Sequence, residues 1–201
     1  GGFNQLIAID IDEKALATGR EILAADNRIK FECRDAYHTG YPEGYFDMVC
    51  IGNSLHHFSD LPALFQEMKR LLTPSGTLLI SEMTADGQVG SSLTHALLHR
   101  WESDVDRARG IYHHHTYSSQ EILSMVEVAG FKIKRAFFDW DREPKLAKGI
   151  EKRLDGLDEK LNELIDLPND RELAEGLAQI RASQVKSGAA FAAAFVVFGE
   201  K

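Results

Sequence analysis

The stretch that decides the fold begins Tyr45-Phe46-Asp47-Met48-Val49-Cys50-Ile51-Gly52-Asn53-Ser54-Leu55-His56-His57-Phe58. It continues through a helical segment and returns as Leu71-Leu72-Thr73-Pro74-Ser75-Gly76-Thr77-Leu78-Leu79-Ile80-Ser81-Glu82-Met83. Met48–Ile51 is a short unbroken apolar run, the pattern of a strand buried on both faces of a parallel sheet. Gly52-Asn53-Ser54 ends it with small polar residues, as expected where the carboxyl end of a strand opens onto a crevice. Ser59 and Asp60 offer helix caps, and Pro62 falls in the first turn, where its missing N–H is harmless. Leu61, Leu64, Phe65, Met68, Leu71 and Leu72 recur at helical spacing, so one face of this helix packs on a sheet. Pro74-Ser75-Gly76 reads as a turn, and Thr77–Ile80 as a second buried strand. The whole is a βαβ unit with a solvated loop at the end of its first strand.

Working outward, 201 residues suit one domain, residues 1–201, with a full core. The formal net charge of −8 argues against a nucleic-acid surface, which needs basic patches to displace counterions. It argues equally against an anionic membrane surface. The longest apolar run, Ala189–Phe198, has 10 residues, whereas a membrane-spanning helix needs about 20. No charged-then-apolar leader is visible, so a cytoplasmic location is the expectation. The chain begins Gly1-Gly2-Phe3-Asn4 without an initiator Met and enters a strand at once, which suggests that its true start lies upstream.

Leu6–Ile9 reads as a buried strand ending in Asp10-Ile11-Asp12. Asp12 can cap a helix that carries Ala15, Leu16, Ile22 and Leu23 on one side. A carboxylate at such a strand tip can accept hydrogen bonds from both hydroxyls of a nucleoside ribose, and Asp10 is the candidate; helix capping alone is the bland alternative. Ile29–Cys33 alternates apolar and polar, which suits a half-exposed edge strand, and ends in Arg34-Asp35-Ala36-Tyr37. There an acid followed by a small residue can accept from an exocyclic amine and let a flat base approach; a plain solvated turn explains Asp35 as well.

Beyond the central unit, residues 84–117 form a further segment. It comprises a polar loop over residues 84–90 and an amphipathic helix marked by Leu93, Leu97, Leu98, Trp101 and Val105. His95 and His99 stand at i, i+4 on that helix, and a loop follows with His113-His114-His115 and Tyr117. Ser118 with Glu121 is a capping box, and Gly130 a left-handed stop. Phe131–Phe138 and Ala190–Phe198 are two further apolar strands. Between them, residues 143–186 place Leu146, Ile150, Leu154, Leu157, Leu161 and Leu164 at intervals of three and four. That pattern predicts one long helix broken near Pro168, then a second carrying Leu173, Leu177 and Ile180. This helical-hairpin insertion could cap the mouth of a site or make a homodimer contact.

Taken together, these landmarks resemble a class I S-adenosylmethionine-dependent methyltransferase of the small-molecule type. They are Ile9-Asp10-Ile11-Asp12, then Asp35-Ala36, then Phe46–Val49 with Asn53–Phe58, Leu71–Thr77, and Tyr117 with Ala129-Gly130-Phe131; Phe195–Lys201 matches the closing strand. The resemblance implies an α/β fold with a doubly wound, mostly parallel Rossmann-like sheet in the order 3-2-1-4-5-7-6, strand 7 antiparallel. It implies S-adenosylmethionine as cofactor. Asp10 then takes the ribose hydroxyls, Ile11 lies against adenine, and Asp35 and Ala36 stand at the adenine amine. Asn53, Ser54 and Leu55 form the loop beside the sulfonium. The family's first strand and glycine-rich loop, a unit of about 30 residues or more, have no counterpart in this sequence. With that order, Cys33 and Cys50 stand roughly 14 Å apart, beyond the ~7 Å reach of a disulfide, so both are expected as buried free thiols.

Methyl transfer needs in-line placement of a nucleophile and exclusion of water, and a base only where the acceptor must lose a proton. His56, His57, His113, His114, His115, Tyr117 and Trp101 are candidates for that role or for acceptor contacts. His56 and His57 could equally be structural contacts at a helix start. A nicotinamide reductase lacks support, because no Tyr-x-x-x-Lys pair and no Gly-x-Gly-x-x-Gly occurs. A metal site from His95 and His99 with His113–His115 finds no supporting carboxylate or cysteine spacing, so no metal is expected. The remaining alternative is a catalytically inactive, methyltransferase-like binding or scaffold protein. The acidity of the chain points to a small-molecule methyl acceptor.

Overall fold

A computed structural model describes residues 2–140, 147–162 and 170–201. Strand β1 (Leu6–Asp10) leads through helix α1 (Glu13–Ile22) to β2 (Ile29–Cys33), which pairs with it in parallel from Leu6 opposite Ile29 to Asp10 opposite Cys33. Asp12 caps α1 by accepting from the Lys14 N–H at 2.9 Å, as its sequence position predicts. Gly19 permits a close approach here, since a Cβ at that position would stand 2.6 Å from the Phe31 ring.

β3 (Phe46–Gly52) is followed by a 3-10 turn (Leu55–His57), α2 (Leu61–Leu71) and β4 (Leu72–Met83). Then come α3 (Ser91–Ala108), α4 (Ser119–Val128), β5 (Lys132–Asp139), α5 (Ala147–Asp155), α6 (Leu157–Asn162), α7 (Asp170–Ser187) and β6 (Ala194–Glu200). The second sheet has the order β3-β4-β6-β5, with β3 and β4 parallel and β6 antiparallel to both neighbours. Among the described residues no ladder joins β1 to β3.

Local signals placed the element ends well. Asp60 caps α2 through the Ala63 N–H, Ser118 and Glu121 form the reciprocal capping box of α4, and Gly130 takes φ +79° where α4 stops. One core lies between α2, α4 and the second sheet; Leu64, Phe65 and Met68 meet Leu78, Ile80, Ile122, Val126 and Val197 there. Full burial stabilises each of the larger side chains by about 1.5–3 kcal/mol. A second cluster joins Leu98, Trp101 and Val105 of α3 to Ile150, Leu154 and Leu157, and to Leu173, Leu177 and Ile180 of α7. The insertion is thereby fastened to α3.

Several expectations need correction. β3 is not buried on both faces: Met48 and Cys50 are exposed, because β3 pairs only with β4 among the described residues. Both cysteines are free, as expected, but exposed rather than buried. The Cys50 sulfur is nonetheless packed closely enough that desolvation pushes its thiol pKa up. On α1 only Leu16 is buried, and Ile22 and Leu23 are exposed. The strand expected at Thr77–Ile80 starts at Leu72, opposite Phe46, and residues 73–76 bulge before Thr77 meets Met48. The predicted long helix is interrupted at Gly156, between α5 and α6; Leu146, Leu164 and Pro168 lie outside the described residues.

Candidate active site

Asp10 and Asp35 stand at the carboxyl ends of adjacent parallel strands. The Arg34 N–H donates to the Asp10 carbonyl at 3.0 Å, which holds the two tips together. Asp10 Oδ1 accepts from the Asp12 N–H at 2.8 Å, and Asp35 Oδ1 accepts from the Tyr37 N–H at 2.8 Å. Each carboxylate thus braces its own turn with one oxygen, and both residues are exposed. Ile11, next to Asp10, is 74% exposed, an apolar surface with no protein cover. Ala36 is half-buried against the main core. Two carboxylates, an uncovered apolar side chain and a small residue on one edge form a donor set that fits a nucleoside.

The loop after β3 is built tightly. Asn53 adopts φ +49°, a left-handed conformation that asparagine tolerates better than most residues, and its Oδ1 accepts from the Met83 N–H at 3.0 Å. Ser54 Oγ donates to the Gly52 carbonyl at 2.9 Å. Leu55, expected beside the cofactor, is fully buried in the core, so its side chain anchors the loop. Glu82, at the end of β4 and only 2% exposed, accepts from the Ser54 N–H at 2.8 Å and the Leu55 N–H at 3.3 Å. Sequence reasoning quoted Glu82 without giving it a role; an acid closing a buried strand was the available signal.

Four histidines gather beside this loop. The His56 ring centroid lies 4.3 Å from His57, 4.6 Å from His99 and 5.3 Å from His113; His57 lies 4.3 Å from His113. The His114 N–H donates to the His56 carbonyl at 2.8 Å, pinning the segment after α3 onto the 3-10 turn. His113 Nδ1 is 2.7 Å from Asp106 Oδ2, and His56 Nδ1 is 3.5 Å from Glu82 Oε2. His56 Nε2, His99 Nδ1 and His113 Nε2 are buried without a hydrogen-bond partner. Leaving one such group unsatisfied costs about 1–3 kcal/mol.

Burial is the main reason the His57 pKa falls to about 4, helped by His56 and His113 and opposed by the charges of Asp106 and Asp10. The Asp10 strand tip is therefore within electrostatic reach of the histidine group. Burial likewise holds His99 at about 2, with His56 and His113 adding to the effect. Both rings are neutral near pH 7.

The other candidates are placed elsewhere. His95 Nδ1 accepts from the Ala192 N–H at 3.0 Å, so the i, i+4 pair on α3 divides, and only His99 joins the cluster. Trp101 donates from Nε1 to the Leu173 carbonyl at 2.8 Å inside the second core. His115 meets Asp104 and Arg107. His114 stacks on Tyr117 with centroids 4.6 Å apart. Tyr117 is buried, and desolvation, with Tyr112, Glu121 and Glu82 contributing, raises its phenol to about 12. It stays protonated near pH 7. A concavity of about 490 Å³ between α2 and α4, lined by Leu61, Phe65, Lys69 and Met125, holds none of the predicted site residues.

A family model described as a methyltransferase domain matches residues 1–80, the segment that carries both strand-tip acids and the histidine turn. Over that segment the chain is similar to methyltransferase domains. A ubiquinone/menaquinone biosynthesis C-methyltransferase, UbiE, of Neisseria meningitidis is 33% identical over 76 residues, 37% of this chain and 31% of that one. The uncharacterized protein YafE of Escherichia coli is 24% identical over 136 residues, 67% of this chain and 62% of YafE. The chain therefore spans less than two thirds of either relative. A solved S-adenosylmethionine-dependent methyltransferase from Methanosarcina mazei shares its fold with a TM-score of 0.57 at 12% identity, covering 98% of this chain and 82% of that one. Among the described residues no helix is long and apolar enough to cross a membrane.

Proposed function

We propose that this protein transfers a methyl group from S-adenosylmethionine to a small-molecule acceptor. The observation that carries this reading is the pair of exposed carboxylates, Asp10 and Asp35, on adjacent strand tips beside uncovered Ile11. When bound, S-adenosylmethionine supplies an electrophilic methyl group on a sulfonium. Asp10 holds the ribose hydroxyls through its carboxylate, and Ile11 covers one face of the adenine. Asp35 accepts from the adenine amine, with Ala36 leaving room for the ring. Asn53 and Ser54 brace the loop that borders the reacting centre, and Glu82 fixes that loop to β4. His57, the exposed member of the histidine group, is the residue we assign to acceptor contact. The net charge of −8 favours a small acceptor over a nucleic acid.

Calorimetry with S-adenosylhomocysteine tests the reading. Saturable binding weakened at least roughly tenfold by Asp10→Ala is expected, because a charge-assisted hydrogen bond contributes about 1.5–3 kcal/mol. Absence of binding would remove the enzyme and leave a methyltransferase-like binding or scaffold protein.

A further inference from the structure

We propose that His56, His99 and His113 form a tri-histidine site for a divalent transition-metal ion of the zinc type, formed where the turn after β3, helix α3 and the segment before α4 meet. One ring nitrogen of each lies within 4.8 Å of the other two. The buried nitrogens without partners are one per ring, His56 Nε2, His99 Nδ1 and His113 Nε2. Two of these rings are oriented from behind. Asp106 accepts from His113 Nδ1 at 2.7 Å, which places the proton there and leaves the Nε2 lone pair free, and Glu82 Oε2 stands 3.5 Å from His56 Nδ1. A carboxylate behind a ligating imidazole is the usual support of a histidine metal ligand.

Donor chemistry selects the ion. Three imidazoles with no carboxylate among them suit zinc, copper, nickel or iron, and not magnesium or calcium, which take oxygen ligands. A tetrahedral zinc ion with Zn–N bonds near 2.0–2.1 Å sets its ligand nitrogens about 3.3 Å apart, so closure takes ring movements of roughly 1 Å. Three protein ligands leave a fourth position for water. His57 adjoins both His56 and His113 and is exposed, which puts solvent access on its side. His95 is no part of the set, since its Nδ1 accepts from the Ala192 N–H; the third ligand comes instead from the turn after β3.

Equilibrium dialysis against Zn(II), gel filtration and elemental analysis test the site without reference to methyl transfer. We expect one ion per chain in the wild type, and binding at least tenfold weaker in His99→Ala. His99 is the least buried of the three, and its ring makes no hydrogen bond among the described residues, so removing it leaves no hydrogen-bond partner unsatisfied. Asp106→Asn should weaken binding roughly 10–100-fold through His113. His38→Ala, an exposed histidine outside the cluster, should bind as the wild type does. Zn(II) should raise the melting temperature of the wild type and leave that of His99→Ala unmoved. Retention of no ion by the wild type, which would mean that buried water fills the cluster, would overturn the proposal. Equal affinity in His99→Ala would overturn it too.

Discussion

Replacing Glu82 by Ala should loosen the loop that borders the reacting centre and lower stability together. Its carboxylate is 2% exposed and accepts two backbone N–H groups, from Ser54 at 2.8 Å and Leu55 at 3.3 Å. Each charge-assisted bond contributes about 1.5–3 kcal/mol, the longer one at the low end. Removing the carboxylate also relieves the penalty of burying it, which offsets part of the loss. We expect a net destabilisation of about 2–4 kcal/mol by urea titration, with an unchanged denaturant slope. For a chain of this size that is a fall in Tm of roughly 5–15 °C. Glu82→Gln keeps an amide oxygen facing both donors and should lose only about half as much. Affinity for S-adenosylhomocysteine should fall in Glu82→Ala, because the Asn53–Leu55 loop loses its tie to β4. A loss below 1 kcal/mol in Glu82→Ala would refute the reasoning, since it would mean that those N–H groups find other partners at once.

The pH dependence of stability should carry the signature of Glu67. Arg70 chiefly, with Thr39 adding hydrogen bonds, lowers its carboxyl from 4.5 to about 2. A depressed folded-state pKa stabilises above the unfolded value and is lost as pH falls, so the contribution of Glu67, at most about 3 kcal/mol, should fade between pH 4.5 and about 2. Glu67→Gln should flatten the wild-type curve in that window, read as the difference in urea midpoints. Trp101→Ala should cost about 3–5 kcal/mol by empty volume alone, and Trp101→Phe less while orphaning the Leu173 carbonyl. Neither should alter the affinity for S-adenosylhomocysteine of the protein that remains folded. Gly130→Ala should cost about 1–2 kcal/mol by urea titration, because φ is +79° and the new methyl group would also meet Lys69 Nζ.

Much of the scaffold is written in local chemistry. Asp12, Asp60 and Ser118 with Glu121 cap helices through bonds spanning two or three residues, and the left-handed stop at Gly130 needs no long-range partner. Strand tips ending in Asp10 and Asp35 are legible for the same reason, since a short apolar run meeting a polar turn signals the end of a parallel strand. Burial was less legible. The apolar run around Cys50 reads as doubly covered, yet cover depends on which strands stand beside β3.

What the sequence determined by itself, then, was the series of βα units and the edge of the sheet on which acids would gather. Only the tertiary structure decided which histidines meet. His56 and His99 are 43 positions apart and His113 lies 14 beyond, and no periodicity relates them. Their convergence comes from α3 being fastened to α5–α7 by the second core, and from the His114 N–H closing on the His56 carbonyl. Spacing along one helix pairs His95 with His99, but hydrogen bonding within the fold gives His95 to Ala192 and leaves His99 with His56 and His113. Local patterns record where the backbone turns; long-range packing chooses which side chains share a buried space.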